Sequence, residues 1–123
     1  MKKLILSLAS ALALTAQAED LSPASKAALA DGITTAVAFS QGHTEVNAFI
    51  GTSYPALIIF TGMKLAGAEH YKDHTPTQKF MTGVWGGGAA SNVATLLFNS
   101  NPIGLATGII TGIYLYNKTE VKK

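Results

Sequence analysis

The sequence predicts an all-α fold: a small transmembrane bundle of about four helices, following an N-terminal signal peptide. Three observations carry that expectation. The chain is 48% apolar and 13% charged, about half the charge of an average soluble domain. One kind of helix-start signal recurs along it. Two of the segments so opened are apolar on every side and leave no face for water. The same arithmetic narrows function. With 123 residues there is room for one domain. The absence of Cys removes disulfide scaffolds, thiolate metal sites and cysteine catalysis. All nine basic residues are scattered Lys and the formal net charge is +2, so no nucleic-acid partner is expected.

The first 18 residues read as an address. Lys2 and Lys3 precede an apolar run, Leu4 to Thr15, and Ala16-Gln17-Ala18 supplies the small residues that a signal peptidase reads. Cleavage after Ala18 leaves residues 19–123 as a single membrane-embedded domain. Without Lys2 and Lys3 that domain has seven Lys against seven acids and is formally neutral. An exported N-terminus places the protein in a bacterial inner membrane, or in a phage gene expressed there.

Four helices are expected, at about 23–41, 45–71, 76–98 and 102–116. Ser22-Pro23, Thr75-Pro76 and Asn101-Pro102 each place a capping side chain before a proline at the first helical position. Gln78 adds capping-box spacing to the second of these. Thr44 caps the remaining helix, with Glu45 in a first turn that favours negative charge, and Gly51 with Pro55 is expected to kink it. A bilayer needs about 20 mostly apolar residues. Ala48–Ala68 offers 21 with Lys64 its only charge, Phe80–Phe98 offers 19 and Ile103–Tyr116 offers 14, both uncharged. The first segment carries Lys26 and Asp31 and crosses only with help from its neighbours. Three crossings would put Lys72, Lys79, Lys118, Lys122 and Lys123 in the cytoplasm, as the positive-inside bias prefers; four suit the even spacing of caps.

Small residues recur at helical spacing. Gly104, Gly108 and Gly112 form a stripe on the last helix, and Gly83 and Gly87 do so on the one before. Such stripes let backbones approach closely where lipid supplies no hydrophobic drive. They serve packing within the bundle, or an oligomer interface. Among polar residues, Asp31 would lie near mid-membrane, where an acid marks a functional site and needs a partner. Lys64 is the candidate. A hairpin that turns at Gln41-Gly42 and resumes near Asn47 places Lys64 roughly 10 Å deeper than Asp31, so direct pairing competes with snorkelling toward an interface. Asn92 is expected to bond a neighbouring helix.

The run Asp31-Gly32-Ile33-Thr34-Thr35, then Gly42-His43-Thr44-Glu45-Val46-Asn47, then Lys64, resembles a family of small bacterial integral membrane proteins of unknown function. Their signature is Asp-x-x-Thr-Thr, a Gly, Glu-x-Asn-Pro and a Lys in the next helix; here Ala48 stands at the proline. The resemblance implies a polar intramembrane cluster of Asp31, Thr35, Glu45, Asn47 and Lys64, and implies no activity. Hydroxyl, carboxylate, amide and amine satisfy one another only when packed inward, which points to a conformational clasp. His70, Asp73 and His74 offer helical metal-ligand spacing, but Thr75-Pro76 follows so closely that a polar loop and no metal is the expectation. No catalytic arrangement is recognisable, so neither an enzyme nor a cofactor is expected. Two readings remain. One is a non-enzymatic bundle in the lipid bilayer acting through a homo-oligomer or a membrane-protein partner. The other is a holin-like or channel-type oligomer, with Asp31, Thr34, Thr35 and Asn92 along a wet path.

Overall fold

A computed structural model describes residues 20–42 and 53–121. The signal-peptide reading and the features placed at His43, Thr44, Glu45, Asn47, Ala48 and Gly51 lie outside these residues. Four helices occupy almost all of the rest: α1 (Pro23–Ser40), α2 (Tyr54–His70), α3 (Thr75–Phe98) and α4 (Asn101–Lys118). Among the described residues there is no strand.

Each helix starts on a side-chain cap followed by proline in its first turn. Ser22 accepts from the Ser25 N–H, Ser53 from Ala56, and Ser100 from Ile103. Three caps differ from expectation, the first being Ser53, which opens α2 at Tyr54 where Thr44 was expected to open a helix at Glu45. His74, not Thr75, caps α3, its Nδ1 accepting from the Thr77 N–H at 3.3 Å. Gln78 closes no capping box, because its amide is drawn into the core. Ser100 rather than Asn101 caps α4. Pro55 sits in the first turn of α2, where its missing N–H costs no hydrogen bond, so it opens that helix instead of kinking it. Asn99 ends α3 at φ 48°, ψ 44°, a left-handed conformation that Asn tolerates better than most side chains.

Contacts fix the arrangement. Ala24 meets Gln78 and Thr34 meets Asn92, so α1 and α3 run parallel. α2 lies antiparallel on α1, with Ser25 near Glu69 and Ala36 near Tyr54. α4 lies antiparallel on α3, Gly83 beside Gly112 and Gly87 beside Gly108. The spatial order is therefore α2, α1, α3, α4. Lys72, Lys79 and Lys118 gather at the same end as Asp20.

The core is built from small residues. Its buried apolar members are Ala24, Ala27, Ala28, Ala68, Ala89 and Ala94, with Leu57 and Leu96. The largest fully buried side chains are polar: Gln78, Thr34 and Ser25. Large apolar side chains stand outside, among them Ile58, Ile59, Met63, Phe80, Leu105, Ile109, Ile110 and Ile113. Among the described residues no helix is long and apolar enough to cross a membrane, so the spans expected at Ala48–Ala68, Phe80–Phe98 and Ile103–Tyr116 are not shown, residues 48–52 of the first lying outside the described residues. Described α2 has 17 residues and begins only at Tyr54. α3 spends many positions on Gly, Ser, Thr and Asn, and α4 begins and ends on Asn and Lys.

Candidate functional site

The middle of the bundle holds a polar clasp. Asp31 on α1 and Lys64 on α2 form an ion pair at 2.8 Å, their side chains 16% and 27% exposed. The register differs from the sequence-based estimate because α2 starts later than Asn47. Asp31 lies ten residues before its helix's C-cap Gln41, and Lys64 eleven after the N-cap Ser53. At equal rise per residue the two are level, and no snorkelling is required. The Lys64 ammonium also stands 5.7 Å from the Trp85 ring centroid, within cation–π range, which ties α3 to the pair.

Asn92 on α3 is the hub. Its amide nitrogen donates to Thr34 Oγ1 and Thr35 Oγ1 at 3.0 Å each and approaches Asp31 Oδ1 at 3.5 Å. Thr34 in turn donates to the carbonyls of Ala30 and Asp31. Gly88 makes room: a Cβ built there would stand 3.1 Å from Asp31 Oδ1. Asp31, Thr35 and Lys64 are thus brought into one network through Asn92, while Glu45 and Asn47 fall outside the described residues. Gly88 and Trp85 were not legible as members, since nothing in an apolar Gly-rich run distinguishes the glycine under a carboxylate from its neighbours.

A second network ties the helix ends. Gln78, fully buried, accepts from the Ala24 N–H at 3.0 Å and donates to the carbonyls of Ala68 and Tyr71. It thereby serves α1, α2 and α3 at once. Beside it, Glu69 Oε2 accepts from Ser25 Oγ at 2.7 Å and from the Ser22 N–H at 3.2 Å. Hydrogen bonding by Ser22 and then Ser25 holds the Glu69 carboxyl below its ordinary range, with the Lys72 charge acting the same way against a smaller opposing effect of burial. A carboxylate depressed in the folded state stabilises above its unfolded value, and that stability is lost as pH falls through the folded one. Thermal unfolding of the native chain should therefore weaken below about pH 4.5 more than that of Glu69→Gln. Parallel pH profiles for the two would dismiss this role.

The metal candidates do not converge. α2 ends at His70, so His70 and His74 do not share a helix, and His74 is occupied as the α3 cap. Tyr71 stands between them, edge-on to both rings. Among the described residues no group of three or more His, Asp or Glu could hold a metal ion. The glycine residues do meet across one contact. A Cβ on Gly83 would come within 2.9 Å of the Gly112 carbonyl, and one on Gly87 within 2.7 Å of the Gly108 carbonyl. One on Gly104 would collide with Thr95. All five therefore lie in the contact between α3 and α4 of a single chain.

Exposure is sorted along the helix axes. Exposed polar and charged residues sit at the two ends of the bundle: Ser40, Gln41, Ser53, Asn99 and Asn101 at one, and Asp20, His70, Lys72, Asp73, His74, Asn117, Lys118 and Glu120 at the other. Between the ends, exposed positions on α2, α3 and α4 carry Ile, Leu, Val, Phe, Met, Ala, Gly or Tyr. Comparison with protein-family models, curated proteins and solved structures found no match.

Proposed function

We propose that this chain is a non-enzymatic helical bundle embedded in a lipid bilayer, which acts by associating with itself or with a membrane-protein partner. The observation that carries the reading is its inverted distribution of side chains. In water, Ile, Leu and Phe go inside because their burial stabilises the fold. Here the inside is mostly Ala, Gly, Ser, Thr and Gln, with Leu57 and Leu96 its large apolar members, and the other large apolar side chains form a belt between two polar ends. Small-residue interfaces joined by interhelical hydrogen bonds suit a bundle whose surroundings are as apolar as its own exterior.

Helix-averaged hydropathy understates this, because it counts Thr34, Thr35, Gln78, Ser91 and Asn92, which face other helices instead of the surroundings. The belt is what lipid would meet. Tyr54, Tyr71, Tyr114 and Tyr116, all exposed, suit the boundary between chains and headgroups. Among the described residues the Ser25 hydroxyl is fully buried against Glu69, and Asp31 is held by Lys64.

The test is fractionation of the full chain expressed in a bacterial host. It should stay in the membrane pellet after an alkaline wash, dissolve only in detergent and cross-link to itself or a partner in the membrane. Recovery as a folded monomer in a detergent-free supernatant would overturn the reading. Leakage of a vesicle-trapped dye on reconstitution would replace association by conduction as its mode of action.

A further inference from the structure

A groove of about 880 Å³ runs between α1, α3 and α4, on a side of the bundle used by neither the clasp nor the glycine contact. Small residues line its middle, Ala27 and Ala30 from α1 and Gly86, Ala89 and Ala90 from α3. At one end it closes on Leu97 and Phe98; at the other stand Pro23, Lys26 and Glu120. The chain arrives at this second end. Asp20 and Leu21 line an adjoining cavity together with the same Pro23, Lys26 and Glu120, and the backbone turns at residues 20–21 before Ser22 caps α1.

What precedes that turn matches the groove in length and character. Leu4–Ala18 is fifteen residues long and carries no charge. As a helix it would extend about 22 Å. Along α3 the groove runs from Thr82 to Phe98, a separation of sixteen residues, or about 24 Å on the same measure. Residues 19–22 suffice to reverse direction between antiparallel helices. Leu4, Leu8 and Leu12 fall on one face of such a helix, and a lining of Ala and Gly leaves room for their side chains. Lys2 and Lys3 would then reach the polar end formed by Ser40, Asn99 and Asn101, and no charge would be buried.

We infer that the uncleaved leader, Leu4–Ala18, lies in this groove as a fifth helix antiparallel to α1. Its tether favours it over the same segment of a second copy. A segment joined to the mouth of the groove through residues 19–22 competes at an effective concentration of about a millimolar. Cleavage after Ala18 would empty the groove. The stretch that reads as an address thus also completes the bundle while it stays attached.

Disulfide trapping tests this, since the native chain has no Cys and introduced pairs report alone. The full chain is made by cell-free synthesis into detergent, without signal peptidase, and oxidised. Leu8 lies about 15 Å from Ala18 along a helix, and Val93 about 17 Å from Thr82. Leu8→Cys with Val93→Cys should therefore form an intramolecular disulfide in most molecules. Leu8→Cys with Leu105→Cys should not, because Leu105 lines the separate crevice between α3 and α4. Alkylation supplies a second measurement. Val93→Cys should react with a maleimide about ten-fold faster once Leu8→Glu and Leu12→Glu are added, two changes that expel the leader and leave the four described helices untouched. Equal linkage of both pairs, a disulfide found only between two chains, or an alkylation rate indifferent to the glutamates overturns the proposal. The first leaves the leader unplaced, the second puts another copy in the groove, and the third gives the groove to lipid or detergent. None of these outcomes bears on whether a bilayer surrounds the bundle, which fractionation decides separately.

Discussion

Gly108→Leu is expected to part α4 from α3 and to cost more stability than any other single change considered. A Cβ on Gly108 would come within 2.8 Å of Ser91 Cβ and 2.9 Å of the Gly87 carbonyl. The second of these is backbone and cannot rotate away. Nor can the helix withdraw locally, because Gly104 and Gly112, one turn to either side, are equally close to Ser91, Thr95 and Gly83. The whole contact must open. α4 touches α1 only slightly, its main attachment being α3, so no other surface holds it in place. A loss above about 4 kcal/mol falls in the range of such overpacking, whereas Gly62→Leu, whose Cβ would meet nothing within 4 Å, should cost nothing and gain up to about 1 kcal/mol of helix propensity. The comparison is read as unfolding in detergent followed by circular dichroism. Gly62→Leu also controls for altered backbone freedom, since both sites are helical. If the two variants melted alike, the close approach of α3 and α4 would not be what holds α4 on the bundle.

How much of this was legible in the sequence depends on whether the signal was local. Helix starts were readable because capping is a matter of adjacent residues: Ser22-Pro23 announces its turn whatever surrounds it, and Asn101-Pro102 marked the start of α4 to within one residue of its cap, Ser100. The His74 cap was missed because histidine is a rare N-cap and Thr75 stood beside it as a better one. Gln78 shows the limit more clearly. Its spacing from Thr75 suits a capping box, yet its amide bonds to Ala24, Ala68 and Tyr71, residues brought near only by the assembled bundle. The pairing of Asp31 with Lys64 hinged on where α2 begins. A helix started near Asn47 sets them out of register, and one started at Tyr54 sets them level. Apolar runs overstate helices for the same reason that they understate clasps: they say what a segment contains and nothing of which way each residue turns. Orientation also explains why mean hydropathy and surface character diverge in α3 and α4, where the inward face takes Gly and Ser and the outward face takes Ile, Leu and Phe.

The clasp yields the second large effect. Lys64→Met removes the cation while keeping an apolar stem of similar length, and leaves the Asp31 carboxylate, 16% exposed, with the Asn92 amide at 3.5 Å in place of an ammonium at 2.8 Å. Removing one partner of a buried pair costs about 3–5 kcal/mol; partial exposure of both side chains lowers the expectation here to about 2 kcal/mol. Asp31→Asn keeps the shape and frees Lys64, which at 27% exposure reaches solvent or headgroups more readily and retains Trp85, so about 1 kcal/mol is expected. The double variant then loses no further charge, because neither partner is left stranded, and should fall short of the sum of the singles by at least about 1 kcal/mol. Asn92→Leu distinguishes a pair from a network. It should deepen the loss caused by Lys64→Met, since Asp31 then has neither cation nor amide, while altering the effect of Asp31→Asn little. A strictly additive cycle would mean that Asp31 and Lys64 stand together without stabilising one another, and that the three helices are held by Gln78 and the small-residue contacts alone.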